Sequence, residues 1–187
     1  MAKKQKIKIL PYLSEYETNR ITFWINTGLD PLNHIINPVG RGIPGGRITH
    51  IFGEESSGKS TLLGYILKYA QDMGITTILA DTENTFDEDF VKRTGLDASK
   101  LLMLSTREKF KVGTKTKEIY RPPGTIEELE DKLFQFVNNF YSENPRDSAC
   151  VIAIDSLESL ETEASRKGKK TAVASRAHLF GPFWRKI

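Results

Sequence analysis

The sequence predicts an α/β fold in three layers, with a mostly parallel sheet between two layers of helices. Apolar runs of strand length alternate with amphipathic runs of helical length, and this alternation indicates parallel strands joined by right-handed crossovers. The strand candidates are also apolar on both faces, as in "VIAI" at 151–154, which is typical of a sheet that is buried on both sides.

The elements follow in order after a dense turn signal, "INPVGRGIPGG", which separates an N-terminal segment, 1–40, from a core domain, 41–187. Strands are predicted at 47–52, 76–81, 101–105 and 150–154, and helices at 59–74, 87–95 and 125–143. We expect Gly74 and Gly95 to end the first two helices. No helix or strand is predicted for the polar, basic stretch 106–124.

The third helix has the clearest local signals. Thr125 is expected to cap it, and Glu128, three residues on, completes a capping-box pattern. Apolar residues then recur at helical spacing, which predicts one buried face: Ile126, Leu129, Leu133, Phe136 and Phe140.

Composition excludes several classes of protein. A single cysteine, Cys150, excludes an internal disulfide and a cysteine-based zinc cluster. No apolar run approaches the roughly 20 residues that a membrane span requires, and the basic first residues do not form a signal peptide. We therefore expect a cytoplasmic protein without a membrane partner. The three histidines are scattered, and we assign them no metal role.

A phosphate-binding loop is predicted at 53–60, where "GEESSGKS" fits the pattern G-x-x-x-x-G-K-[ST] between a strand and a helix. In such a loop the amides surround phosphate oxygens, and the helix dipole adds to the attraction. Gly58 allows close approach of the backbone, Lys59 reaches the phosphates, and Ser60 offers its hydroxyl to Mg²⁺.

Carboxylates follow two of the other strands, at the sheet edge where open α/β sheets bind ligands. Asp155 ends the last strand and is expected to hold Mg²⁺ through a water molecule. Asp81 and Glu83 follow the strand at 76–81. Glu83 is the candidate to orient or deprotonate an attacking water, whereas Asp81 is equally consistent with a structural role.

These motifs together resemble the RecA/RadA recombinase family over residues 25–187. The resemblance is carried by "GIPGGRITHIFGEESSGKSTL", "LADTENTFDEDFVKRTGLDASKLLML" and "VIAIDSLESL", and "ASRAHLFGPFWRKI" is similar to phage members. It implies a RecA-like core in which Glu83 and Lys59 are catalytic and in which Ser60 and Asp155 hold the metal. It also implies the following ATP-binding residues: Gly53, Glu54, Glu55, Ser56, Ser57, Gly58, Lys59, Ser60, Thr61, Asp87 and Phe90.

The function that the resemblance implies is ATP-dependent DNA recombination and repair. Such proteins, with ATP and Mg²⁺, form helical filaments of identical subunits on single-stranded DNA, which they pair with a homologous duplex. The compartment would be the cytoplasm, or the host cytoplasm if a phage encodes the chain. The N-terminal segment falls where the family docks one subunit on the next. Two alternatives stay open: another RecA-fold ATPase, such as a replicative-helicase relative, or a nucleotide-binding fragment without activity by itself.

The C-terminal stretch from Ser165 is strongly basic, with seven cations and no acid. The resemblance places the family's first DNA-binding loop here, which makes Arg166, Lys167, Lys169 and Lys170 candidate DNA contacts. A solvated charge run is the alternative. The following segment is interpreted as a helix with an apolar face, and Gly181-Pro182 is expected to kink it.

The resemblance also implies a further strand, between the strand at 47–52 and the strand at 150–154, that this sequence does not contain. Without it two apolar strands would have unpaired edges. We therefore expect the core to be C-terminally incomplete and the chain to be part of a longer protein.

Overall fold

A computed structural model describes residues 21–112, 115–145 and 148–166, and gives no side-chain description for residues 107–112 and 115–116. Its strands are β1 (Trp24–Ile25), β2 (Ile43–Pro44), β3 (Thr76–Asp81), β4 (Leu101–Met103), β5 (Thr106–Val112), β6 (Lys115–Arg121) and β7 (Cys150–Asp155). Its helices are α1 (Asp30–Ile36), α2 (Lys59–Asp72), α3 (Glu88–Thr94), α4 (Ile126–Glu143) and α5 (Glu163–Arg166), with a 3₁₀ turn at Ala98–Lys100.

The central sheet is parallel and has the strand order β4-β3-β7. Strand β3 pairs along its whole length with β7, from Thr76 opposite Cys150 to Asp81 opposite Asp155. Because neighbouring residues of a strand point to opposite faces, β3 contributes to two separate cores. The predicted α/β class and parallel sheet are confirmed.

Helices cover both faces of this sheet. On one face Ile78 and Ala80 pack with Leu129 and Leu133 of α4. On the other face Leu79 and Ala153 pack with Leu67 of α2. A third cluster joins β1 to α2 through Ile25, Ile66 and Ala70. The three-layer arrangement that the apolar strands predict is therefore present.

The helix ends follow the local signals. Gly74 and Gly95 adopt φ angles of 74° and 71°, the left-handed conformation that lets a chain leave a helix. Thr125 caps α4, since its hydroxyl accepts a hydrogen bond from the amide of Glu128 at 3.2 Å. The Glu128 carboxylate bonds the amide of Gly124 at 2.9 Å, one residue earlier than a capping box requires.

The predicted strand at 47–52 is wrong, because residues 48–53 have no regular secondary structure. Thr49 and Ile51 of this segment and residues 150–153 of β7 line a common groove, and no hydrogen-bonded pairing joins the two. The segment therefore forms no ladder with β7, and within the described residues β7 is an edge strand.

The stretch 106–124 also differs from expectation, since most of it forms an antiparallel pair, β5 and β6, that is a sheet of its own. The segment predicted as a kinked helix near Gly181-Pro182 lies outside the described residues, and the boundary at residue 40 stays a prediction. No helix in the described ranges has the length and apolarity needed to traverse a bilayer.

Candidate functional site

The loop before α2 is exposed from Gly53 to Gly58. Gly58 has a φ of 92°, and Ser56 has a φ of 60°, so the backbone turns sharply before the helix starts. Among the described residues no side chain caps this helix, and its first turn contains no acid. The positive end of the α2 dipole is therefore not neutralised locally, which suits the loop to binding an anion.

Lys59 folds back over this loop. Its Nζ donates to the carbonyl oxygens of Gly53 and Glu54, at 3.1 and 2.9 Å. The ammonium group is thus held against the loop backbone, where a bound phosphate could compete for it. Of the other residues predicted here, Glu55, Ser57 and Thr61 are exposed, while Ser60 is half-buried at the start of α2.

Asp155 is the buried carboxylate of the site, at the carboxyl end of β7 and 8% exposed. Burial raises its pKa, and the nearby carboxylates of Glu83 and Asp81 raise it further. The Ser60 hydroxyl and the Lys59 ammonium act in the opposite direction. The last strand therefore brings Asp155 beside Lys59 and Ser60, the first residues of α2.

One oxygen of Asp155 fits a metal site of the expected type. Its Oδ2 is buried and has no hydrogen-bond partner among the described residues, and buried polar atoms normally have one. Mg²⁺ keeps several of its water molecules, which can donate to such an oxygen. The described residues contain no group of three or more His, Cys, Asp or Glu side chains placed to bind a metal. The donor set therefore suits a metal held by Ser60, phosphate oxygens and water.

Glu83 lies next to Asp155 because hydrogen bonds join the ends of β3 and β7. The carbonyl oxygen of Asp155 accepts from the amide of Thr82 at 2.7 Å and from the amide of Glu83 at 3.3 Å. The Glu83 side chain is exposed and accepts a hydrogen bond from the hydroxyl of Ser156. An exposed carboxylate in a fixed position beside the loop is suited to bind water.

The roles of Thr82 and Ser156 were not predicted. Thr82 donates its hydroxyl to the carbonyl oxygens of Asp155 and Ser156, at 3.0 and 2.7 Å, and Ser159 donates to Thr82 in turn. A signal was present in the sequence, since each residue directly follows an aspartate that ends a strand. Their side chains consequently lie at the same sheet edge as the two carboxylates.

Asp81 has a structural role in this conformation. Its carboxylate accepts hydrogen bonds from the amides of Thr85 and Phe86, at 3.0 and 2.9 Å. These bonds order the turn between β3 and α3. The sequence alone leaves the role of Asp81 open, and these hydrogen bonds favour a structural role.

Asp87 and Phe90, the two predicted adenine contacts, belong to α3. Asp87 caps this helix by accepting from the amide of Phe90 at 2.7 Å. The Phe90 ring is 7% exposed, lies 4.6 Å from the ring of Phe86 between centroids, and packs close to Gly64. In this conformation the ring is part of the core, and its contact with an adenine stays a prediction.

Of the candidate DNA contacts, Arg166 is described and ends α5. It pairs with Glu161 at 3.7 Å, and its guanidinium group lies against Gly124. Lys167, Lys169 and Lys170 lie outside the described residues.

Comparison with known proteins agrees with this geometry. The family described as the RecA N-terminal domain matches residues 12–120. Similar curated proteins include Protein RecA of Roseiflexus castenholzii (strain DSM 13941 / HLO8), 45% identical over 62 residues, which are 33% of this chain and 18% of the relative. Protein RecA of Chlorobaculum tepidum is 40% identical over 79 residues, 42% of this chain and 22% of the relative. Protein RecA of Aquifex aeolicus (strain VF5) is 45% identical over 60 residues, 32% and 17% of the two chains. The matched segments thus span about a fifth of these relatives.

Proposed function

The chain belongs to the family of the RecA N-terminal domain, and from this premise we propose that it is the ATP-binding part of a DNA recombinase. The proposed activity of the whole protein is to bind single-stranded DNA as a filament with ATP and to promote pairing and strand exchange with a homologous duplex. Nucleotide hydrolysis would release the DNA, so that the nucleotide acts as a switch.

The observation that carries this proposal is the convergence of three groups at one sheet edge. Lys59 lies over the phosphate-binding loop, Asp155 presents a buried oxygen that has no partner among the described residues, and Glu83 presents an exposed carboxylate held by Ser156. ATP hydrolysis requires an anion-binding loop with three groups around it: a cation that contacts the phosphates, a carboxylate that helps to hold the metal ion, and a carboxylate that orients the attacking water.

Each group has a distinct proposed task. The amides of residues 53–60 surround the β- and γ-phosphates, and Lys59 exchanges the carbonyl oxygens of Gly53 and Glu54 for phosphate oxygens. Ser60 and Asp155, the latter through water, would hold Mg²⁺, which supplies charge neutralisation at the phosphates. Glu83 orients the attacking water and accepts its proton.

The remaining partners follow from the family. We propose single- and double-stranded DNA as the polymers bound, further copies of the chain as filament neighbours, and the cytoplasm of the cell or host as the compartment. Arg166, Lys167, Lys169 and Lys170 are the proposed contacts to the DNA backbone, and Asp87 and Phe90 the proposed neighbours of the adenine.

Thermal unfolding with and without MgATP tests the nucleotide site. At a ligand concentration about 100 times Kd, binding to the folded state adds about 2.7 kcal/mol, which in a chain of this size raises Tm by roughly 5–10 °C. Lys59→Ala should abolish the rise. Lys92→Ala is the matched control, because Lys92 is an exposed cation on α3 that pairs with Glu88, and it should retain the rise.

The DNA-dependent part needs a second assay, in which ATP turnover is measured with and without single-stranded DNA and the products are imaged for filaments. Stimulated turnover with strand exchange would support recombination. Unwinding by a hexameric ring would instead favour the helicase alternative. Absence of any nucleotide-dependent rise in Tm would refute the ATP site itself.

A further inference from the structure

The antiparallel pair β5–β6 is a basic ribbon to which the predicted recombinase site gives no role. Residues 106–121 contain six cations and two acids, a net charge of +4, whereas the whole chain carries +3. The rest of the chain therefore has a net charge of −1. A concentration of positive charge in one short hairpin indicates an anionic partner at that hairpin.

The register of the two strands sorts these residues by face. Directly opposite residues of an antiparallel pair lie on the same face, and alternate residues of one strand do so too. Arg107, Lys109 and Lys111 therefore share one face, opposite Tyr120, Glu118 and Thr116 respectively. This face, which we call the basic face, holds three cations and Tyr120 against one acid. The opposite face has the same net charge, with Lys115, Lys117 and Arg121 against Glu108, but its Arg121 is paired with Glu128 of α4.

The spacing on the basic face suits a nucleic-acid strand. Alternate residues of a β-strand lie about 6.8 Å apart, so the three cations form a row along which the phosphates of a DNA strand can lie. Tyr120, opposite Arg107, is 70% exposed. An exposed aromatic beside a row of cations is the combination that binds single strands, through base stacking and backbone contacts.

The base of the hairpin is fixed to the core. Arg121, the last residue of β6, donates from Nη1 and Nη2 to the two carboxylate oxygens of Glu128 in α4, at 2.9 and 3.1 Å. The same carboxylate accepts from the amide of Gly124. A bidentate pair of this kind holds the direction of a ribbon as well as its position.

We propose that the basic face of the β5–β6 hairpin binds the backbone of single-stranded DNA, with Tyr120 stacking on a base. The inference rests on the proposed function for the identity of the polymer, but it concerns residues distinct from Arg166 and the lysines after it. The hairpin would extend the DNA contact beyond that C-terminal stretch.

The test measures binding of a fluorescent 30-nucleotide oligo(dT) to the full chain by anisotropy, between 50 and 300 mM salt. In Arg107→Gln/Lys109→Gln/Lys111→Gln, the slope of log K against log salt should become shallower by about 2, because each phosphate contact on a single strand contributes about 0.7. The control Lys92→Gln/Arg93→Gln/Lys100→Gln removes the same charge from exposed positions on and after α3, and should leave the slope unchanged.

A second pair of variants tests stacking without a change of charge. Tyr120→Ala should weaken binding roughly 5- to 150-fold, while Tyr120→Phe should retain most of it. Tyr141→Ala, which removes another exposed tyrosine from α4, should have no effect. Far-UV circular dichroism would establish that each variant is folded.

The outcomes separate this proposal from the nucleotide site. An unchanged slope in the hairpin variant, or no binding of oligo(dT) by the wild-type chain, overturns the hairpin proposal even if MgATP still raises Tm. Hairpin-dependent binding to anionic phospholipid vesicles, without binding to oligo(dT), would also overturn it in favour of a membrane surface. A loss of the MgATP effect with the slopes as expected would refute the ATP site and leave the hairpin proposal standing.

Discussion

Neutralising Glu128 should destabilise the protein at neutral pH and have little effect near pH 2. Burial of the carboxyl raises its pKa, but the hydrogen bonds from Arg121 and from the amide of Gly124 outweigh this effect and hold the pKa at about 2, against an ordinary value of 4.5. A difference of about 2.5 units, at about 1.36 kcal/mol for each, corresponds to about 3 kcal/mol in favour of the ionised form.

The direction follows from proton linkage. The unfolded chain binds a proton at Glu128 more readily than the folded chain, so the free energy of unfolding rises with pH between about 2 and 4.5. The stabilisation is complete above that window and is lost as pH falls through the folded pKa. The Glu128 and Arg121 side chains are 20% and 27% exposed, which reduces screening by solvent. We therefore expect about 2–3 kcal/mol to be measurable at pH 7.

Urea unfolding of the wild type and of Glu128→Gln, at intervals from pH 2 to pH 7, measures this difference. The two curves should converge toward pH 2 and separate above pH 5. Asp131→Asn is the matched control on the exposed side of α4, and its offset should be small. Parallel curves for the wild type and Glu128→Gln over the whole range would refute the reasoning.

Three further predictions concern the site and the core. In the absence of nucleotide, Asp155→Asn should raise Tm more at pH 7 than at pH 4. Burial, together with the nearby Glu83 and Asp81 carboxylates, raises the pKa of Asp155, so the folded protein favours the protonated carboxyl group. As pH rises this group becomes charged and destabilises the fold, and the neutral asparagine removes that cost. The same change should weaken Mg²⁺-dependent nucleotide binding roughly 10- to 100-fold, measurable by titration; tight binding without Asp155 would contradict the metal role. Leu133→Ala, at a position 1% exposed, should cost about 2–5 kcal/mol in urea unfolding, whereas Phe134→Ala, 40% exposed, should cost far less; equal costs would show that α4 packs through a different face. Gly64→Val should destabilise by about 1–3 kcal/mol, because a Cβ there would lie 2.9 Å from the Thr94 side chain; an unchanged midpoint would mean that α2 and α3 separate easily.

The sequence predicts the elements whose signals are local. The strand at 76–81 is found with those limits, and α2, α3 and α4 begin and end within two residues of their predicted bounds. Glycines that leave helices and a threonine that caps one act within a few residues, so a pattern reveals them. The proximity of Glu83 and Asp155 is likewise predictable, because β3 and β7 are parallel neighbours and their carboxyl ends share one sheet edge.

The errors arise where structure depends on partners distant in sequence. Residues 47–52 have the composition of a strand, but a strand requires a hydrogen-bonded neighbour, and among the described residues this segment has none. The hairpin at 106–121 was missed because its charged residues resemble solvated loop. Gly113 between two alternating runs was the available signal. The role of Arg121 depends on Glu128, which belongs to another element.

The bonds between the ends of β3 and β7 have a mechanical consequence. Thr82 bonds the backbone of Asp155 and Ser156, and Ser156 bonds the Glu83 carboxylate, so the ends of the two strands are held together, whereas residues 53–58 are exposed loop. The ends of β3 and β7 therefore form the fixed side of the site, and we expect the loop at 53–58 to adjust its conformation when a ligand binds. Amide hydrogen exchange should accordingly be slow at Thr82 and Glu83 and fast in the loop, and binding should slow exchange mainly in the loop.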